Sequence, residues 1–249
     1  MTTSDNGLLD RSQRLLGTEG MQILASKRIL LFGVGGVGSW CAESLIRSGI
    51  VHLTLVDNDL VCPTNCNRQL MATSQTIGQV KVEAMRQRLL SINPQADIVA
   101  LNATYSAETA DTFHLEEYDY VIDAIDSLKD KADLILRCTR LMHDHRKLHF
   151  FSSMGAALRI DPTQVRVAEF WHVKGDALAR ALRNTFKRHS TFPAAKFPCV
   201  YSEEAPLPNL GDTTETSSYK AQINGSMCPV TGIFGMTLAG LVIKHAVGK

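Results

Sequence analysis

The sequence predicts an α/β fold, a doubly wound and mostly parallel sheet with a C-terminal extension. Three observations carry this expectation. Short β-rich runs alternate with helical patterns through the first half of the chain. A glycine cluster, Gly33-Val34-Gly35-Gly36-Val37-Gly38, separates the first such run from the first such helix. The 249 residues are 45% hydrophobic and 20% charged, a composition that builds an ordinary folded core. Strand–helix alternation of this kind implies right-handed crossovers and a parallel sheet, which binds ligands at the carboxyl ends of its strands.

Residues 1–27 read as an N-terminal helical arm, 28–160 as the sheet domain, and 161–249 as an extension on the substrate side. Strands are expected over 28–32, 53–56, 97–101, 120–122 and 148–152, and helices over 36–48, 77–92, 107–113 and 127–144. In the extension, Val165-Arg166-Val167 alternates like a strand and 176–189 reads as a helix with a basic face. Residues 191–218 are rich in Pro, Ser, Thr and Glu and lack a period, so they read as a long mobile loop. The apolar stretch 227–243 reads as a buried closing helix; peripheral contact with a membrane is the other reading.

The glycine cluster follows Ile29-Leu30-Leu31-Phe32 and opens a helix. Gly33, Gly35, Gly36 and Gly38 let backbone N–H groups approach a phosphate, and the helix N-terminus adds partial positive charge. This Rossmann-like arrangement suits NAD and ATP equally. Asp57, 19 residues after Gly38, is placed to accept bonds from ribose hydroxyls and does not separate the two. The polar run from Asp57 to Gln69 does, because a dehydrogenase has no need of it. Arg68 offers a planar fork and Lys81 a second cation; two cations beside one glycine cradle suit a triphosphate. Asp59 is either a turn cap or part of the site. Asp123-Ala124-Ile125-Asp126-Ser127 ends the fourth strand, and its carboxylates suit Mg²⁺, with Asp126 ranked above Asp123.

In order, Gly33-x-Gly35-Gly36-x-Gly38, Asp57-x-Asp59, Asn65-x-x-Arg68-Gln69, Gly78-x-x-Lys81 and Asp123-x-x-Asp126 resemble the ubiquitin-activating-enzyme-like HesA/MoeB/ThiF superfamily. The resemblance implies ATP and Mg²⁺ as cofactors and adenylation of a carboxylate. It implies that Asp57 holds the ribose, that Asn65, Arg68 and Lys81 hold the phosphates, and that Asp126 binds the metal. Asp59, Gln69 and Ser127 complete the implied nucleotide set. It also implies a homodimer in which an N-terminal arginine reaches the partner's site; Arg11 occupies that place, with Arg14 as its competitor. The catalytic set is then Arg11, Arg68, Lys81 and Asp126.

Further along, Ser152-Ser153-Met154-Gly155-Ala156, Asp161-Pro162-Thr163, Gly175 to Arg183, Cys199 to Pro206 and Asn224-Gly225-Ser226 resemble the branch that dehydrates threonylcarbamoyladenosine in tRNA. That branch usually has a proline where this chain has Ala177. The implied partner is tRNA carrying that nucleoside. Its carboxylate attacks the α-phosphate of ATP, and a ureido group of the same nucleoside then closes a ring and expels AMP. Three rival readings stand beside it: an activating enzyme for a ubiquitin-like sulfur carrier, a nucleotide-binding scaffold in a sulfur-relay or RNA complex, and an NAD dehydrogenase. The sulfur-carrier branches usually carry two C-x-x-C zinc pairs, and this sequence has none.

A formal net charge of +1 leaves RNA contact to local patches. Two segments qualify: one over 137–149, the other Arg180, Arg183, Lys187, Arg188 and His189. Each also reads as a solvated helix face. Phe192 and Phe197 either stack bases or anchor the loop. The six cysteines suggest a reduced, cytoplasmic protein, and no secretory signal is expected in the polar N-terminus. Cys199, in the expected loop, is a candidate nucleophile whose other reading is an inert thiol.

Overall fold

The computed structural model describes residues 7–145, 147–211 and 223–248. Strands β1 (Arg28–Phe32), β2 (His52–Val56), β3 (Asp97–Leu101), β4 (Tyr120–Asp123), β5 (His149–Ser153), β6 (Val165–Glu169) and β7 (Pro198–Ser202) form one sheet in the order β3-β2-β1-β4-β5-β7-β6. Every neighbouring pair is parallel except β6 with β7. The helices are α1 (Asp10–Ser26), α2 (Gly38–Arg47), α3 (Lys81–Ile92), α4 (Leu128–His145), α5 (Ala177–Arg188) and α6 (Cys228–Ala246).

Strand alternation divides the core. Ile29 and Leu31 of β1 face the cluster that holds Leu45, Met85, Phe234 and Leu238, from α2, α3 and α6. Leu30 and Phe32 face the opposite cluster, with Leu134, Ile135 and Phe186 from α4 and α5. Both faces of β1 are therefore covered, and its residues read as a continuous apolar run, as a central parallel strand should. The chain reverses its direction of sheet growth between β1 and β4, and this opens a crevice at their carboxyl ends.

Three expectations need correction. The helix expected over 107–113 is only a short 3-10 turn, Ala110–Phe113, closed by His114 at φ 47°. The Thr109 hydroxyl bonds the Thr104 carbonyl, and Ser106 and Thr109 cap each other, which competes with helical hydrogen bonding. The third helix starts at Lys81 rather than 77, because Gly78 sits at φ 85° and Val80 bridges to Leu60. The expected loop over 191–218 contains β7, which lies between β5 and β6 in the sheet. Residues 212–218 of that span lie outside the described residues.

The closing helix α6 is long and apolar enough to cross a membrane by length and composition. It buries Val230, Phe234, Leu238 and Val242 in the core. Its seat on α2 depends on glycine: a Cβ on Gly235 would strike the Val37 carbonyl and lie 2.7 Å from the Cys41 nitrogen.

Candidate nucleotide-binding site

The turn after β1 is built from backbone necessity. Gly33 takes φ 85°, and a Cβ there would lie 2.6 Å from the Ala124 carbonyl oxygen. A Cβ on Gly38 would strike the Gly33 carbonyl. Neither position tolerates a side chain without moving backbone, so the loop between β1 and α2 packs directly on the loop after β4. Gly36 faces both the Arg68 side chain and Thr231 of α6, each 3.3 Å from the position of an added Cβ. Gly35 opens toward Gln69.

Asp57, just beyond β2, is tied to this loop. One carboxylate oxygen accepts the Val34 N–H at 2.7 Å; the other accepts the Asp59 N–H at 3.0 Å. Lys81 is buried at the start of α3, with its ammonium 3.2 Å from Asp57 and 2.8 Å from Asp59. The turn is capped by Asp57, which accepts the Asp59 N–H, while the Asp59 carboxylate pairs with Lys81. A buried ammonium held by two carboxylates at the edge of a glycine loop can exchange one of them for a phosphate oxygen.

On the other flank, Asn65 accepts the Cys62 N–H and closes the 3-10 turn Pro63–Asn65. The half-buried Arg68 donates to the Thr64 carbonyl and the Asn67 side chain, both at 2.9 Å. Burial pulls its guanidinium below the ordinary value, while the nearby Asp126 carboxylate acts in the opposite direction. Arg68 stays charged at neutral pH in any case. Gln69 is buried, and its side-chain oxygen has no hydrogen-bond partner among the described residues. An unsatisfied buried acceptor costs about 1–3 kcal/mol, and one beside a ligand cradle marks a place for a donor.

The paired carboxylates after β4 have separate fates. Asp123 is fully buried: it accepts the Ser152 hydroxyl at 2.7 Å and the Ile125 N–H at 3.1 Å, and pairs with Lys131 at 2.8 Å. It faces the protein interior and not the crevice, so the expectation of two carboxylates for a metal falls to one. Asp126 is exposed in the same loop, and the Ser127 hydroxyl caps the start of α4 by donating to Asp130.

Arg11 and Arg14 are exposed on the first half of α1, before a break at Gly17, where φ is 73°. Cys199 sits fully buried in β7, and burial pushes its thiol well above the ordinary range. The structure therefore rules out the exposed nucleophile and leaves an inert thiol. Phe197 is also buried, stacked on Phe170, so it anchors the chain and does not stack bases.

Sequence reading missed three contributors. Trp40 donates its indole N–H to the Arg68 carbonyl at 3.1 Å. Thr231 walls the glycine loop, and Lys131 holds Asp123. Trp40 had a local signal, since it lies in the helix that the glycine turn opens. Thr231 and Lys131 had none, because their partners are distant in sequence or hidden inside the sheet.

The pattern of the ThiF family matches residues 9–249. The chain belongs to the ThiF family. Among members, the tRNA threonylcarbamoyladenosine dehydratase of Bacillus subtilis is 35% identical over 235 residues, covering 94% of this chain and 90% of that protein. The Escherichia coli enzyme TcdA, solved with AMP, superposes with a TM-score of 0.87 at 33% identity, covering 100% of this chain and 98% of that one. Its complex with ATP gives a TM-score of 0.86. The family likeness thus includes the extension, with β6, β7, α5 and α6, as well as the nucleotide-binding half.

Proposed function

We propose that this protein is an ATP-dependent tRNA threonylcarbamoyladenosine dehydratase. The observation that carries the reading is one glycine loop with Arg68 packed against Gly36 and Lys81 paired with Asp57, whose carboxylate accepts the Val34 N–H of that loop. The chain around that loop resembles dehydratases along nearly its whole length, and one of these is seen with ATP and AMP. The threonine carboxylate of the modified nucleoside attacks the α-phosphate and pyrophosphate leaves. A ureido group of the same nucleoside then attacks the acyl carbon, loses its proton and displaces AMP. The net change is loss of one water.

In this reading the glycine-loop amides and Lys81 cradle the phosphates, Arg68 neutralises charge as pyrophosphate departs, and Asp57 holds the ribose. Asp126 is the carboxylate that would hold Mg²⁺, which supplies charge neutralisation on phosphate oxygens and needs only one or two protein carboxylates. Asp126 fits because it is exposed beside Arg68, whereas Asp123 is already consumed by Lys131.

We further place the protein in the cytoplasm as a homodimer with Arg11 acting across the interface. The exposure of Arg11 and of its neighbour Leu15 supports the interface.

Mass analysis of tRNA nucleosides after incubation with enzyme, ATP and Mg²⁺ tests the reaction: one water must be lost, and an unchanged mass refutes it. Asp126→Ala should abolish ATP–pyrophosphate exchange; retained exchange removes Asp126 from the metal role. Mixing Arg11→Ala with Asp126→Ala protein should restore activity, because a mixed dimer holds one intact site. No recovery would place the arginine in its own subunit's site or outside the chemistry.

A further inference from the structure

The extension concentrates positive charge. Residues 170–198 hold six Lys and Arg against one acid, Asp176, a formal +5 in a chain of +1, so the remainder is −4. The Asp176 carboxylate is buried, accepting the Ala179 N–H at 2.8 Å and the Gly155 N–H at 3.1 Å. No exposed carboxylate within the segment offsets the cations. Lys174, Arg180, Lys187, Arg188 and Lys196 are all exposed, and among the described residues none is held in an ion pair.

These cations form a strip with a defined place. Arg180, Arg183 and Lys187 recur at helical spacing on α5. Arg183 fixes where that row lies: its guanidinium donates to the Phe170 and Val173 carbonyls at 3.0 and 3.1 Å and sits over the Phe170 ring. The row therefore runs beside the turn Phe170–His172, where the exposed Trp171 and Phe192 rings meet at 6.3 Å. Asp176 bonds Gly155, just past the carboxyl end of β5, so α5 begins at the crevice edge. Its 12 residues lead away from that edge for about 18 Å.

In the other basic segment Arg140 and Lys147 are exposed, but its remaining described members are engaged. Arg137 is paired with Asp111 and Asp133, and His149 packs against Tyr120 and His245.

We propose that the exposed α5 strip, Arg180, Lys187 and Arg188, is the surface along which the phosphate backbone of the tRNA runs as its modified base enters the nucleotide crevice. This rests on the dehydratase reading, and it adds where the RNA lies. Unpaired cations suit a polyanion because each phosphate contact releases condensed counterions. A strip that starts at the crevice and leads outward suits a substrate far larger than the site.

The test compares Arg180→Gln/Lys187→Gln/Arg188→Gln with a charge-matched control, Lys129→Gln/Arg140→Gln/Lys147→Gln, in the full chain. tRNA affinity is measured across a salt series. The strip variant should lose tRNA affinity at least tenfold, and its dependence of log K on log salt should flatten by about 2–3, near one per contact removed. Its kcat at saturating tRNA and its affinity for ATP should match the parent. Equal salt slopes in the two variants, or a loss carried by the control, overturn the proposal. So does a strip variant that loses binding to anionic phospholipid vesicles but keeps its tRNA slope. A parent protein that leaves tRNA mass unchanged refutes the dehydratase reading instead, whatever the slopes.

Discussion

Lys131 and Asp123 show how a residue far from the crevice surface sets what lies on it. Their charges are sealed from solvent, and Lys131 also donates to the Ile125 carbonyl at 2.9 Å. Together they pin the loop that ends in Asp126. Removing one partner of a buried pair leaves the other uncompensated, at about 3–5 kcal/mol, while replacing both costs less. Lys131→Met should therefore destabilise strongly in urea titrations, and Lys131→Met/Asp123→Asn should recover much of the loss. A double variant as unstable as the sum of the singles would refute a paired role. That Lys81 would lie beside Asp57, and Asp126 beside Arg68, was legible in the motif spacing. The inward turn of Asp123 was not, since nothing local distinguishes a carboxylate facing metal from one facing a buried lysine.

At the scale of elements, the informative case is α6 on α2. A Cβ added at Gly232 would only touch the Trp40 ring, at 3.7 Å, whereas one at Gly235 would strike the Val37 carbonyl. Gly235→Ala should cost about 1–3 kcal/mol through overpacking, a fall in Tm of roughly 2–4 °C per kcal/mol. It should also weaken ATP binding in the proposed site, because Thr231 packs on Gly36 and Trp40 holds the Arg68 carbonyl. Calorimetry with and without ATP checks this; an unchanged ATP affinity would separate helix seating from the site. The alternation of the first half was legible because each strand there is followed by a periodic helix. Strand β7 was missed because Pro198-Cys199-Val200-Tyr201-Ser202 is buried on both faces and so shows no alternation, and it follows a Pro-rich approach. The short helix at 107–113 was overread because apolar spacing outvoted the Ser106 and Thr109 side chains.

For the molecule as a whole, the opposite end of the sheet carries an acid-sensitive joint. His149 and His245 rings lie 3.9 Å apart, and the Tyr120 hydroxyl meets His245 at 3.0 Å. Burial lowers the His149 pKa, His245 and Lys27 lower it further, and Asp119 opposes them. Burial, with Asp119 beside it, pushes Tyr120 up to about 12, so it stays a neutral phenol. A depressed histidine pKa means the folded state binds fewer protons than the unfolded chain. Its contribution to stability is complete above the unfolded value of about 6.5 and falls as pH drops through it. Thermal melts between pH 7.5 and 5 should show that decline, and His149→Asn should flatten it. A parallel decline in the variant would assign the acid sensitivity to other groups.

The seating of Thr231 against Gly36 also has a consequence for biosynthesis. The ribosome releases the glycine turn early, but the wall that completes it arrives only with α6, whose first residue is Cys228. A nascent chain paused before that point exposes the apolar face of α2 and carries a half-built cradle. The cradle is thus completed only when α6 docks and brings Thr231 against Gly36.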